Sequence, residues 1–185
     1  MPKSKQKKFR NNKFCKDFTF DSFITCEANK FVVTMPVEIA RNPGKFYNPF
    51  LIYGESGVGK TYLAQAIGNY ICANSKEFKV CYISSHSFNN EFADYTKDEK
   101  VDFLKSKYEN LDVLILDDLQ FLQEDEKFQE TLYEILSKLK EKHAQIICTS
   151  TTTVSNLSLN LIKFFRDGFC TELLPSPLIE NSKNK

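Results

Sequence analysis

No apolar run in this 185-residue chain approaches the roughly 18 residues a membrane span needs. The N-terminus carries lysines but no apolar h-region, so it does not read as a secretory signal. Six cysteines (Cys15, Cys26, Cys72, Cys81, Cys148 and Cys170) are scattered with no Cys-x-x-Cys pair among them. That spacing argues against a metal cluster or a disulfide framework. Several of the thiols sit in apolar patterns, where they act as small hydrophobes. A reducing, cytoplasmic setting is the expected one. No internal repeat or low-complexity tract interrupts the chain.

Acidic residues are missing from positions 1–16, which hold seven bases (Lys3, Lys5, Lys7, Lys8, Arg10, Lys13 and Lys16). The rest of the chain has 18 bases against 24 acids, a net of −6. Residues 1–17 are expected as a basic arm, 18–175 as a folded core and 176–185 as a short tail. Two readings of the arm stay open. It could grip nucleic-acid phosphates through counterion release, or it could be a solvated, disordered terminus. The acidic body speaks against a broad nucleic-acid-binding face on the core.

The residues present are more specific. Gly54-Glu55-Ser56-Gly57-Val58-Gly59-Lys60-Thr61 fits G-x-x-x-x-G-K-[ST] at every fixed position. A strand-like run, Pro49-Phe50-Leu51-Ile52-Tyr53, precedes it. A helical pattern with Leu63, Ala66, Ile67 and Tyr70 on one face follows. Glycines at these positions let backbone N–H groups converge on an anion, and the helix beginning near Gly59 adds its positive end. Lys60 would reach the β- and γ-phosphates, and the Thr61 hydroxyl would meet Mg²⁺. The competing reading is a glycine-rich turn that ends by chance in lysine. The expected nucleotide-binding set is Gly54, Gly57, Val58, Gly59, Lys60, Thr61 and Tyr62.

Further strands are expected at 79–84, 111–116 and 144–149, with a fifth near 170–174. The helical patterns lie near 28–40 (limited or kinked by Pro36), 87–95, 100–108 and 124–142. Strands alternating with helices imply βαβ units and a three-layer α/β domain around a parallel sheet. Leu111-Asp112-Val113-Leu114-Ile115-Leu116 is a nearly continuous apolar run, as in a strand covered on both faces. It ends in Asp117-Asp118, where open α/β sheets place their ligands. Asp117 is expected to hold the Mg²⁺ that Thr61 touches, and Asp118 to orient or deprotonate an attacking water. The alternative is a pair of acids capping the next helix. Ser150 and Thr151 are candidate γ-phosphate sensors, or else part of a hydroxyl-rich turn.

Five segments together carry a family likeness: Phe18-Thr19-Phe20-Asp21-Ser22-Phe23, Asn48 to Gly54, Gly57 to Leu63, Ala66-Ile67-Gly68, and Asp112 to Leu122. From about residue 18 to 175 the chain resembles the AAA+ ATPase domain of the bacterial replication initiator DnaA. The stretch Asp112–Leu122 is its most specific part. The resemblance implies a P-loop NTPase core with a five-stranded parallel sheet, binding ATP or ADP with Mg²⁺. It also implies work in replication initiation, and it puts Phe20, Phe23 and Asn48 beside the adenine and ribose.

The departures from that family shape the expected function. The helical lid and the duplex-reading helix-turn-helix that follow the core in the family are not in this sequence. Phe164 aligns with the family's arginine finger, with only Lys163 and Arg166 nearby, and lysine lacks the planar fork. Thr151 stands at an acidic position. Gln123-Glu124-Asp125-Glu126-Lys127 replaces a basic pair that contacts single-stranded DNA, and its charge would repel phosphate. The expected protein is an ATP-binding module that regulates initiation by docking on a full-length AAA+ partner. The alternatives are a degenerate, non-hydrolysing interaction module and a helicase-loader-type ATPase.

Overall fold

The computed structural model describes residues 14–23, 30–97, 99–151 and 157–175. Expectations for residues 1–13, Cys26, Thr152, Thr153 and the tail 176–185 fall outside it. Five strands form one sheet: β1 (Phe50–Tyr53), β2 (Val80–Ser84), β3 (Val113–Asp117), β4 (Gln145–Ser150) and β5 (Phe169–Glu172). Among the described residues six α-helices surround them: α1 (Lys30–Arg41), α2 (Lys60–Asn74), α3 (Ser85–Lys97), α4 (Val101–Glu109), α5 (Glu126–Glu141) and α6 (Leu159–Arg166).

The strand order is β2-β3-β4-β1-β5, with every pairing parallel. β4 therefore separates the strand that feeds the P-loop from the strand that ends in Asp117. The register aligns Tyr53 with Ser150 and Ser84 with Asp117. All C-terminal strand ends thus reach the same edge of the sheet, and that edge carries the site.

Two-residue alternation explains the layers. Phe50, Ile52, Val113, Ile115 and Ile147 face one side and pack with Met35 and Ile39 of α1 and Leu63, Ile67 and Ile71 of α2. Leu51, Leu114, Leu116, Ile146 and Cys148 face the other. There they meet Phe88 and Phe92 of α3, Leu104 and Tyr108 of α4, and Phe128, Leu132, Ile135 and Leu136 of α5. Every residue of β3 and β4 is buried, as the continuous apolar run around Val113–Leu116 required.

Three local features depart from the sequence pattern. α1 continues through Pro36, the buried Met35, Ile39 and Ala40 holding it to the core. The segment 161–168, expected only as the site of a displaced arginine finger, overlaps α6. Its two turns bury Leu161, Phe164 and Phe165, and the Ser158 hydroxyl caps it by accepting from the Leu161 N–H at 3.5 Å. Lastly, the end of the expected arm belongs to the folded body. The Cys15 N–H donates to Gln65 Oε1 at 2.8 Å, Asn69 Nδ2 donates to the carbonyls of Cys15 and Phe18, and Tyr62 donates to the Asp17 carbonyl. These contacts satisfy the backbone of this strap, Phe14–Phe18, on α2 rather than in water.

Candidate nucleotide site

The loop between β1 and α2 turns through positive φ at Gly54, Gly57 and Gly59. A Cβ at Gly54 would lie 2.4 Å from the Leu173 carbonyl oxygen, so only glycine lets the chain after β5 pass so close. Gly57 differs, since a Cβ there would meet nothing within 4 Å. Its φ of 84° is what demands glycine, and the space beside it is open. Val58 anchors the loop in the α2 side of the core. Gly59 caps the N-terminus of α2, and the Phe23 ring lies against it.

Lys60 is only 6% exposed. Its Nζ donates to the carbonyls of Gly54 at 2.9 Å and Glu55 at 2.7 Å. Burial lowers its pKa, while the charges of Asp118 and Asp117 push it back up. The ammonium is therefore held by neutral oxygens with two carboxylates in electrostatic range.

Asp117 is 2% exposed and collects donors from three elements. Thr61 donates to Oδ1 at 3.1 Å, Thr149 makes a short bond to the same oxygen, and Tyr82 donates to Oδ2 at 2.6 Å. Ser85 Oγ donates to the Asp117 carbonyl. At Asp118 the backbone turns to φ 64°, its N–H donating to Thr149 Oγ1 at 2.8 Å. Gln120 donates from Nε2 to Asp118 Oδ1 and accepts from the Thr151 N–H. Asp118 and Thr151 are thereby linked across the strand ends. The Ser150 side chain is buried, and its carbonyl accepts the Gly54 N–H at 3.3 Å.

The structure thus brings Lys60, Thr61, Asp117, Asp118, Ser150 and Thr151 to one sheet edge. Tyr62 turns its side chain elsewhere, stacking on Phe18 at 4.3 Å. Asn48 is a correction. It lies at the opposite edge, where Nδ2 donates to the Ala144 carbonyl and Oδ1 accepts the Ile146 N–H. The whole of β1 separates it from the P-loop, so it cannot stand beside a nucleotide there. Phe20 packs against Tyr70, well along α2, whereas Phe23 does reach the loop. Sequence reasoning missed Tyr82, Thr149 and Gln120 as partners of the two aspartates. The available signal was that β2 and β4 flank β3, which needs the strand order.

A P-loop after one strand, a buried carboxylate ending another, and a third strand between them define the core of an AAA+ P-loop ATPase. The sequence profile of the bacterial DnaA ATPase domain matches residues 14–172, and the chain belongs to that family. It is 43% identical over 150 residues to the chromosomal replication initiator protein DnaA of Borrelia hermsii, covering 81% of this chain and 31% of that protein. The chain therefore spans under a third of the length of the curated relatives it matches. Domain III of Thermotoga maritima DnaA superposes with a TM-score of 0.85 at 33% identity, covering 91% of this chain and 72% of that one. AMPPCP-bound DnaA from Aquifex aeolicus gives 0.83 at 29% identity, covering 94% and 56%. The DnaC helicase loader (0.71, 16% identity, covering 85% and 96%) shares the fold alone. Among the described residues, no helix is long and apolar enough to cross a membrane.

Proposed function

We propose that this chain binds ATP or ADP with Mg²⁺ at the P-loop and acts in replication initiation by docking on a full-length AAA+ partner. The convergence of Lys60, Thr61 and Asp117 beside the open space at Gly57 is the observation that supports it. The AMPPCP bound by the Aquifex relative gives the ligand class.

The residues present suit the nucleotide and its metal. The loop amides and the Lys60 ammonium are the donors a polyphosphate needs. Asp117 and Thr61 offer the hard oxygens that Mg²⁺ prefers. Among the described residues no three His, Cys, Asp or Glu side chains gather as a metal cage. A cation would thus share these two side chains with phosphate oxygens and water. Held there, Mg²⁺ would supply positive charge against the polyphosphate. Lys60 would exchange the Gly54 and Glu55 carbonyls for phosphate oxygens. Asp118, steered by Gln120, is the group assigned to a water.

A second reading concerns hydrolysis. Phe164, aligned with the family's arginine finger, is a core residue 6% exposed, while Lys163 and Arg166 point to solvent. Fingers contribute about 10³–10⁵ in rate where they operate. Binding without efficient assembled-site hydrolysis follows.

Titration with a fluorescent ATP analogue and Mg²⁺, paired with a thermal-shift series, tests the proposal. The melting midpoint must rise with ligand concentration, and Lys60→Ala must weaken both signals strongly. A midpoint unmoved by millimolar ATP would favour the interaction-module reading. Pull-downs against initiator and replicative helicase separate the partner hypothesis from a helicase-loader role.

A further inference from the structure

Tyr82 lies on β2, outside the P-loop and outside the strand that carries the aspartates, yet its phenol is the donor to Asp117 Oδ2 at 2.6 Å. Thr61 and Thr149 both address Oδ1. A carboxylate free to rotate about χ2 would exchange its two oxygens. With Oδ2 engaged by the phenol, Oδ1 is the oxygen turned toward Thr61 and the P-loop.

Behind the phenol, the Gln65 side chain on α2 is near enough to oppose the upward pKa shift that burial and Asp117 impose on it. Gln65 is 6% exposed, and its Oε1 accepts the Cys15 N–H at 2.8 Å. The Phe14 ring tilts against the Tyr82 ring at 5.8 Å. It packs so tightly on α2 that a Cβ at Gly68 would sit 2.4 Å from its Cε1. The strap backbone, one amide and one phenol thus line a path toward the buried carboxylate, hydrogen-bonded at its two ends. Each of its groups is polar, buried or half-buried, and matched in donor and acceptor sense.

We infer that Tyr82 and Gln65 are positioning residues that fix which oxygen of Asp117 faces the nucleotide-bound metal, with the docked Phe14–Cys15 strap completing the outer end. The inference rests on the nucleotide reading above and deepens it. The strap becomes part of the metal site's support, and whatever lifts it would loosen that site.

The test is a Mg²⁺ titration of fluorescent-ATP affinity on the full chain, with EDTA as the zero-metal arm. Tyr82→Phe keeps the ring against Phe14 and removes only the hydroxyl. Outer partners of metal ligands typically contribute 10–100-fold to metal affinity. The Mg²⁺ needed for half-maximal effect should therefore rise about tenfold, with affinity in EDTA unchanged. Gln65→Met should shift it in the same direction by less. A merely structural role would lower the melting midpoint and leave the Mg²⁺ half-point alone, and that result overturns the inference, as would tighter Mg²⁺ coupling. If the wild-type chain binds no nucleotide at all, the underlying reading fails first and takes this one with it. Wild-type binding with an unmoved Tyr82→Phe half-point sinks the relay alone.

Discussion

The two ends of β4 make an instructive pair, because both are buried, polar and hydrogen-bonded. At the N-terminal end two neutral amides close on backbone. Asn48 brackets Ala144 and Ile146, and Gln145 accepts from the Gly44 N–H while donating to the Tyr47 carbonyl. Donors and acceptors balance there and no net charge remains. At the C-terminal end three hydroxyls converge on one carboxylate, and an ammonium lies on two carbonyls beside open space. A balanced amide clamp gains nothing from a ligand. Unneutralised charges held apart in a buried setting do, since a metal–polyphosphate pair supplies both opposite signs. Charge next to open space separates the site from the framework; polarity alone does not.

That contrast can be broken by substitution. Lys60→Ala should weaken ATP binding by at least about 100-fold, because it removes two or more charge-assisted bonds worth about 1.5–3 kcal/mol each. Calorimetric titration measures it. Next, Asp117→Asn should erase most of the Mg²⁺-dependent gain in affinity while leaving binding in EDTA nearly intact. Asn48→Ala works at the other end. Leaving the Ala144 carbonyl and Ile146 N–H without their partner should cost about 1–3 kcal/mol of stability, read by urea denaturation, with nucleotide affinity unchanged. Should Asn48→Ala instead weaken ATP as strongly as Lys60→Ala, the distinction between the two ends collapses.

Two smaller effects sharpen the framework side. Asp125 caps α5 by accepting the Phe128 N–H at 2.9 Å, so Asp125→Ala should cost about 1 kcal/mol without touching binding. Burial pushes the Cys81 thiol up to about 12, Lys107 opposing and Glu91 adding to the shift. The unfolded thiol titrates near ~8.5, so above that pH the unfolded chain releases a proton the fold retains. The Cys81 contribution to stability should be flat below about pH 8.5 and fall from there toward 12. Comparing melting midpoints of wild type and Cys81→Ala across that range isolates the slope.

Much of the layout was legible along the chain. The G-x-x-x-x-G-K-[ST] spacing placed the loop, and the run ending at Leu116 marked a strand covered on both faces. α6 was not legible, because two turns between a hydroxyl-rich turn and a strand give too few periods to register. The strap at Phe14–Asp17 was hidden for another reason: its basic neighbours dominate the composition there, while the bonds that dock it come from Gln65, Asn69 and Tyr62, some fifty residues on. Asn48 was misplaced because the family resemblance put it beside the adenine and ribose, whereas it precedes β1 and the P-loop follows that strand, at its other end.

Sequence by itself determined the family, the layered α/β class, the P-loop and the aspartate pair, since these depend on residue type and local spacing. Tertiary structure alone decided that β4 lies between the loop and Asp117, that Tyr82 and Thr149 hold that carboxylate, and that Asn48 belongs to the far edge. The physical reason is range. Backbone geometry and periodicity act over a few residues, whereas a buried charge is satisfied by whichever strands the fold brings alongside it.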